Sequence, residues 1–179
     1  MSATDTLRED HVYVKRLEKV VTKCYEALYD GKDVPFEEIE KILLIISEFL
    51  DSIHYSREEN SYFPCVGVAG NFAAEVRKFM IEHQFGKNIA HQISKHLNRW
   101  KAGEDAREPV ARFLRTYAIY LQDHVSKEEK FFDEAEKDLE PEEEKEMYEY
   151  FQSVMAVSKK IDEMVKEIEY LESCYWCKN

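Results

Sequence analysis

The sequence predicts an all-α protein, an antiparallel up-down-up-down four-helix bundle with an additional C-terminal helix. Three observations favour this fold. Apolar residues recur at alternating three- and four-residue steps through five long segments, as they do on the buried face of a helix. The chain contains only 5 Gly and 4 Pro, which suits a mostly helical protein, and no strand-like alternation occurs. The connections are short, so consecutive helices should be antiparallel neighbours.

The first predicted helix covers residues 6–29 and the second covers 35–62. Gly31 follows the end of the first helix and Pro35 opens the second, which are the positions these residues prefer. His11 lies on the apolar stripe of the first helix, whose other members are Leu7, Val14, Leu17, Val21 and Leu28. The inward residues of the second helix are Ile39, Ile42, Ile46, Phe49 and Ile53.

The third predicted helix covers 71–101, the fourth 108–137, and a fifth segment 142–172. Pro64 and the stretch from Gly67 to Gly70 should end the second helix, residues 102–105 form the next turn, and Pro141 precedes the fifth segment. The apolar stripe of the fifth segment consists of Met147, Phe151, Val154, Ile161, Val165 and Ile168. We expect residues 1–138 to form the bundle, and 139–179 to form a C-terminal helix and tail packed on it or extending it.

The composition argues against several classes of partner. The formal net charge is -12, from 25 Lys and Arg against 37 Asp and Glu. A face that binds nucleic acid or an anionic membrane is basic, so we expect neither as a partner. The N-terminal residues lack the apolar stretch of a signal peptide, and no run of eighteen apolar residues occurs. Four cysteines without a secretory signal predict free thiols in a cytoplasmic protein.

A short phrase of the sequence occurs twice. His54-Tyr55-Ser56-Arg57-Glu58-Glu59 recurs as His124-Val125-Ser126-Lys127-Glu128-Glu129. In each copy a His precedes a Glu by four residues, which places both side chains on one helix face, about 5–6 Å apart at Cβ. An imidazole and a carboxylate held in this way form half of a metal site.

Four histidines, one on each of the first four predicted helices, are spaced so that they share one level. In an antiparallel hairpin, residues equidistant from the turn lie at the same height. The midpoint between His11 and His54 falls in the first predicted turn. The midpoints of the next two pairs, which bring in His83 and then His124, fall in the second and third turns. We therefore expect a single layer of four imidazoles.

Glu58 and Glu128 lie one turn beyond His54 and His124 and complete this layer. Two core-facing carboxylates without a cation would be costly to bury. Mixed imidazole and carboxylate ligands suit iron, manganese or zinc, and carboxylates can bridge two metal ions. We predict a dinuclear centre with two histidines per ion and both carboxylates bridging. The simpler alternative is a helical bundle without metal, in which these side chains are exposed or paired with one another.

Other polar residues near the motif are expected outside the centre. His91 lies eight residues beyond His83, which is ~12 Å along a helix, and His96 lies further away, so both should be surface or packing residues. Residues next to a ligand point away from it on a helix, which predicts a surface position for the following carboxylates: Asp10, Glu59, Glu82, Asp123 and Glu129. Asp10, Glu82 and Asp123 each precede a ligand histidine, and the alternative is that they tune it from outside the centre.

At these positions the sequence resembles the hemerythrin-like family, also called HHE cation-binding domains. The resemblance covers about residues 5–135 and consists of Asp10-His11, His54-x3-Glu58 followed by Tyr62-Phe63-Pro64, Glu82-His83, and His124-x3-Glu128. It implies a non-haem centre of two Fe ions with an oxo or hydroxo bridge, where Zn or Mn could substitute. The centre would bind O2, NO or peroxide. The implied metal ligands are His11, His54, Glu58, His83, His124 and Glu128.

One departure from the family pattern bears on function. Oxygen-carrying hemerythrins have a second histidine four residues after the first in the third helix, and Lys87 holds that position here. Six protein ligands would leave an open position on each ion, which favours redox chemistry or sensing over storage. A non-catalytic carrier or reserve of oxygen or iron and an iron-sulfur repair protein are the alternatives, and whether the protein is an enzyme stays open.

Three further residues could lie beside the centre. Tyr62 and Tyr120 each lie one turn from a predicted ligand, and each could be a ligand, a hydrogen-bond donor or an ordinary core residue. Lys87 could donate to a bound ligand or extend to solvent. In the carrier pattern the fourth-helix carboxylate would be Glu129, but Glu128 reproduces the spacing of the first half-site and is preferred.

The chain ends in Cys174-Tyr175-Trp176-Cys177. A single C-x-x-C motif is a weak signal, which fits a redox pair, half of a zinc site, or neither. The heptad-like seam of the fifth segment could pack across the bundle or against another subunit, so a homodimer stays open.

Overall fold

A computed structural model describes residues 1–69, 72–153 and 157–178, and every regular element in these ranges is a helix. The all-α class is therefore confirmed for this part of the chain. The first bundle helix is α1 (Ala3–Tyr29). It begins three residues earlier than predicted because Ser2 and Asp5 form a capping box, in which each side chain accepts a hydrogen bond from the other's backbone N–H.

The second bundle helix is continuous but changes its winding. It consists of α2 (Phe36–Ile45), a π-helical segment (Ile46–His54), α3 (Tyr55–Arg57), a second π-helical segment (Glu58–Tyr62) and α4 (Phe63–Ala69). Hydrogen bonds in the two π segments span five residues, from the N–H of Tyr55 to Leu50 and from that of Phe63 to Glu58. The π segments overlap the two ends of the repeated phrase and turn both His54 and Tyr55 into the interior.

The second helix continues past Pro64, contrary to prediction, and α4 ends at Ala69, within the stretch of residues 67–70 that was also predicted to end it. Proline has no N–H to donate to the preceding turn and normally breaks a helix. Here it stands directly after a π segment, at a junction where the hydrogen-bond spacing changes. The missing donor therefore falls where the ladder is already interrupted.

The third and fourth bundle helices are α5 (Ala73–Lys101) and α6 (Arg107–Ala135). Their bounds differ from the predicted ones by one or two residues, apart from the predicted start at Asn71, which lies outside the described residues. Helices α1 and α6 touch in opposite chain order, as antiparallel helices do. Arg8 bonds Glu136 at one end of the α1–α6 pair, and Arg107 donates to the carbonyl of Leu28 at the other.

The apolar core is divided into two clusters, one on either side of a polar layer. The larger cluster contains Val14, Phe49, Ile93 and Leu121, and the smaller contains Leu7, Phe63, Phe79 and Phe131. On each bundle helix a histidine lies between the residues that enter the two clusters, as His11 does between Leu7 and Val14. Both clusters are buried, so they separate this layer from solvent along the bundle axis.

The C-terminal part was predicted as one segment, but the structure has three helices in the described ranges. They are α7 (Pro141–Ser153), α8 (Val157–Ser173) and α9 (Tyr175–Lys178), and Val154 of the predicted stripe lies outside the described residues. The three helices pack on the bundle through the backbone N–H of Thr4 bonded to Glu144, Arg16 bonded to Glu172, and Trp176 bonded to Glu38. The division at residue 138 stays a prediction.

The C-terminal cysteines are free, as are Cys24 and Cys65. Cys174 donates a hydrogen bond to Glu38, and so does the indole N–H of Trp176. The carboxylate of Glu38 in α2 therefore binds two residues near the C-terminal end of the described chain. Among the helices of the described ranges, none combines the length and apolar character that a membrane crossing needs.

Leu171 tests whether α8 is part of the bundle core. It is fully buried in the larger cluster, whereas Leu44 in α2 is exposed and serves as the matched control. Leu171→Ala should lower the free energy of unfolding by about 2–5 kcal/mol, and Leu44→Ala by less than about 0.5 kcal/mol. Urea denaturation followed by circular dichroism measures both. Equal stability of the two variants would contradict the packing of α8.

Candidate metal centre

Four imidazoles and two carboxylates meet in the layer between the two apolar clusters. Each is at most 1 % exposed, and together they form the polar layer, which consists of His11, His54, Glu58, His83, His124 and Glu128. The structure thus brings all six predicted site residues together. Nε2 of His11 lies 3.2 Å from Glu128 Oε2, and Nε2 of His124 lies 3.1 Å from Glu128 Oε1.

The second carboxylate of the polar layer faces the other two imidazoles. Glu58 Oε1 lies 3.6 Å from Nε2 of His54, and Glu58 Oε2 lies 3.3 Å from Nε2 of His83. Every Nε2 atom of the four histidines therefore points at a buried carboxylate oxygen. Both half-sites keep the predicted spacing of four residues between His and Glu.

The polar layer contains two groups of side chains that could each hold a metal ion. One group consists of His11, His54, Glu58 and Glu128, and the other of His83, His124 and Glu128. Within each group the candidate ligand atoms lie within 4.8 Å of one another, and Glu128 belongs to both. The ring centroids of His11 and His54 are 4.9 Å apart, and those of His83 and His124 are also 4.9 Å apart.

Several inward atoms of the polar layer are buried without a hydrogen bond. No described residue forms one to either carboxylate oxygen of Glu58, to Oε1 of Glu128, or to Nε2 of His83 or His124. These atoms approach one another within ion-pair distance but without hydrogen-bond geometry. Unpaired buried polar atoms are costly, and lone pairs that converge from nitrogen and oxygen donors suit transition-metal ions. The residues present therefore fit metal ions.

The outer nitrogens of the four histidines are held by a second set of carboxylates. Each imidazole Nδ1 lies within hydrogen-bond distance of a carboxylate on the adjacent helix: His11 with Glu129 at 2.9 Å, His54 with Asp10 at 3.2 Å, His83 with Glu59 at 2.8 Å and His124 with Glu82 at 2.8 Å. We call Asp10, Glu59, Glu82 and Glu129 the outer carboxylates. They take up the Nδ1–H of each ring and leave Nε2 facing inward, the arrangement usual for metal-binding histidines.

The predicted surface position of these four carboxylates is wrong. Each does point away from the centre on its own helix, as expected, but the adjacent helix and not solvent lies in that direction. Asp10 is buried, and the other three are only partly exposed. Asp123, the fifth residue of the predicted set, is exposed and pairs with Lys127 at 2.6 Å, so its predicted surface position is right.

Every outer carboxylate is also paired with a cation. Asp10 pairs with Arg57 at 2.8 Å, Glu59 with Lys87 at 3.8 Å, Glu82 with Lys127 at 2.9 Å and Glu129 with Lys15 at 3.2 Å. Glu129 also pairs, at a longer distance of 3.9 Å, with Arg8. Lys87 thus pairs with an outer carboxylate. The two predicted roles for Lys87 were donation to a bound ligand and extension into solvent. The sequence analysis missed Arg57, although it belongs to the repeated phrase.

Each imidazole of the polar layer lies against an aromatic ring that is tilted by less than 30° from it. These pairs are His11 with Phe132, His54 with Phe49, His83 with Tyr55 and His124 with Tyr120. The hydroxyls of Tyr55 and Tyr120 are hydrogen-bonded at 2.9 Å, so a pair of phenols flanks the group that contains His83 and His124. Gly86 permits this packing because a Cβ there would overlap the Tyr120 ring.

Of the predicted neighbours, Tyr120 does lie beside a histidine of the polar layer, while Tyr62 turns its hydroxyl elsewhere. The Tyr62 hydroxyl is 3.0 Å from that of Thr4, and its ring packs against Phe131 and Phe132. The sequence analysis did not single out Tyr55. In a regular α-helix, the residue after an inward-facing histidine points away from the centre. Tyr55 could therefore have been predicted only with knowledge of the π segment, which turns both His54 and Tyr55 inward.

The buried carboxylates strongly favour protonated imidazoles when no metal is bound. Burial alone would lower the pKa of His11, but hydrogen bonds to Glu128 and Glu129 raise it to about 9. In the same way, burial opposes but neighbouring carboxylates, Glu128 first, raise the pKa of His83 to about 11 and that of His124 to about 9. Metal ions and protons therefore compete for the same nitrogens.

The two remaining histidines lie outside the polar layer. His91 is exposed, and His96 is partly exposed with its ring stacked on Phe113 at 5.4 Å between centroids. Both positions agree with the sequence-based expectation.

Comparison with known protein families identifies the family of the chain. The model described as "Hemerythrin HHE cation binding domain" matches residues 2–135, which span α1 to α6 and all six residues of the polar layer. The resemblance inferred from the sequence motifs is therefore confirmed. No curated protein and no solved structure matches the chain.

The raised pKa values predict how the stability of the metal-free protein depends on pH. The imidazoles of His11, His83 and His124 have pKa values near 6.5 when unfolded, and about 9 to 11 when folded. Their stabilising contribution is complete below pH ~6.5 and is lost as the pH rises through the folded values. The melting temperature of chelator-treated protein should therefore fall between pH 7 and 10.

Metal-loaded protein is the control for this measurement, since its imidazoles are already deprotonated and its melting temperature should fall much less. The His91→Ala variant should behave as the parent protein does. A metal-free melting temperature that is constant or rises over this range would contradict the protonated state of the polar layer.

Proposed function

The chain belongs to the hemerythrin family of HHE cation-binding domains, and we propose that its polar layer holds two iron ions and binds O2, NO or peroxide for redox chemistry or sensing. The observation that carries the proposal is the convergence of four Nε2 atoms on two fully buried carboxylates that lack other partners. Buried charge of this kind calls for a cation, and the donor set suits iron.

In this proposal one ion is held by His11 and His54 and the other by His83 and His124. Glu128 would serve both ions. Glu58 belongs only to the group with His11 and His54, and would reach the second ion only from the side of His83. Manganese or zinc could occupy the same donors. When bound, iron supplies reversible one-electron chemistry and coordination positions for a small ligand.

The protein contributes orientation and exclusion of water. The outer carboxylates fix the tautomer of each imidazole, so that every Nε2 lone pair faces the interior. The two apolar clusters keep bulk water away from the layer, which strengthens electrostatic interactions within it. A small apolar molecule can enter such an interior more easily than a hydrated ion.

The presence of Lys87 favours a reactive metal centre over a simple carrier of oxygen or iron. Lys87 stands where oxygen-carrying hemerythrins have a further histidine, and its amino group pairs with Glu59 on the outer side of His83. Six inward ligands shared by two ions leave coordination positions without a protein donor. Such positions suit ligand turnover or sensing, whereas a non-catalytic carrier of oxygen or iron would release its ligand unchanged.

Metal content tests the ligand assignment. Protein loaded with ferrous iron without oxygen and then desalted should retain about two irons per chain, the stoichiometry of dinuclear carboxylate centres. Glu128→Ala removes the carboxylate common to both groups and should lose most of this iron, whereas His91→Ala, which changes an exposed histidine, should keep it. Equal iron retention by both variants would refute the assignment.

Reaction with small ligands separates a reactive centre from a carrier. The iron-loaded, reduced protein should consume peroxide or NO over repeated turnovers in the presence of a reductant, and the Glu128→Ala variant should not. Stopped-flow absorption and a ligand electrode measure this consumption. Reversible O2 binding with little oxidation of the iron, and no consumption of peroxide or NO, would instead favour the carrier.

A further inference from the structure

We propose that the two metal positions are inequivalent, and that the ion held by His11 and His54 is the first to bind and the last to leave. The cause is a buried lock formed by Asp10 and Arg57 and covered by Phe151 of α7. This inference rests on the proposed function, because it concerns how this chain treats two ions within the polar layer.

Burial distinguishes the lock from the three equivalent pairs around the bundle. The side chain of Asp10 is 3 % exposed, against 23–31 % for the other outer carboxylates. Its partner Arg57 is 8 % exposed, against 34–58 % for the three lysines. Exposed ion pairs are weak and open easily, whereas breaking a buried pair leaves an uncompensated charge.

The geometry of the lock is tighter than that of its counterparts. Nη1 of Arg57 lies 2.8 Å from both oxygens of Asp10, and the same carboxylate is 3.2 Å from Nδ1 of His54. The guanidinium lies over the ring of Phe151, 5.4 Å from its centroid, and Phe151 is itself buried in the smaller cluster. Rotating His54 away from the centre would therefore require movement of α7 as well.

The inner ligands show an independent asymmetry in the same sense. The group with His11 and His54 has four candidate ligand atoms within mutual reach, including both carboxylates of the polar layer. The group with His83 and His124 has three. More ligand atoms within reach give tighter metal binding. The inward ligand atoms and the outer carboxylates therefore both favour the position held by His11 and His54.

We therefore expect one position to release its metal ion slowly and the other to release its ion quickly. The outer carboxylates of His83 and His124, which are Glu59 and Glu82, are both partly open to solvent and paired with lysines. These interfaces can open without disturbing the core, so the ion between them can exchange. The position held by His11 and His54 has one such open pair, Glu129 with Lys15 behind His11, but the lock behind His54 is buried, so this position retains its ion.

Iron release to a chelator tests the inference. Protein loaded with ferrous iron is mixed, without oxygen, with excess of a chelator whose ferrous complex is coloured. The parent protein should release its iron in two phases of equal amplitude. Arg57→Met should accelerate the slow phase by about 10–100-fold, the usual effect of losing a partner behind a metal ligand. Lys127→Met, the same exchange at an exposed pair, should leave the slow phase unchanged.

Two further sets of variants show which position releases its ion slowly. They also test the lock without removing Arg57, in case Arg57→Met does not fold. Phe151→Ala keeps the ion pair but uncovers it, and should also accelerate the slow phase, whereas Tyr150→Ala, at an exposed neighbour in α7, should not. His124→Ala should retain one ion that leaves in the slow phase. His54→Ala should retain one ion that leaves in the fast phase.

The outcomes separate this inference from the proposed function. Two ions released in a single phase, or equal acceleration by Arg57→Met and Lys127→Met, would overturn the inference and leave the dinuclear centre standing. A slow phase that survives in His54→Ala would overturn the assigned position. Protein that retains no iron would overturn the proposed function, and the inference with it.

Discussion

The burial of two carboxylates in the middle of a helical bundle is the constraint on which the rest of the structure depends. Glu58 and Glu128 have no access to solvent, and an ionised carboxylate in such a place needs opposite charge within reach. The imidazoles of His11, His83 and His124 supply that charge when protonated, and yield their protons where metal ions take their place. The same side chains can therefore support the fold without metal and the centre with it.

Adjacent residues along the chain have complementary roles in this arrangement. In Asp10-His11 and in Glu82-His83, the second residue faces the centre while the first binds the outer nitrogen of a histidine on the next helix. The same alternation operates where a Glu follows the inward Glu in the repeated phrase. Four interfaces between helices are thereby joined by a hydrogen bond that also orients an imidazole of the polar layer, so packing of the bundle and preparation of the candidate site are coupled.

Much of the fold and the inner site could be predicted because both depend on helical periodicity and on distances from turns. Those rules place His11 and Glu128 on buried faces at one level, with no knowledge of what surrounds them. They could not identify the partners of the outer nitrogens, because a helical period gives a direction around one axis and not the neighbour that stands there. Nor could they reveal Tyr55 or Arg57, since π winding alters the period itself.

Anomalous diffraction at the iron absorption edge, from crystals of the iron-loaded protein, tests the central claim most directly. A dinuclear centre predicts two peaks in the polar layer, one beside His11 and His54 and the other beside His83 and His124, with Glu128 reaching both. A lone peak at the surface, or a polar layer without anomalous signal in protein that contains iron, would contradict it.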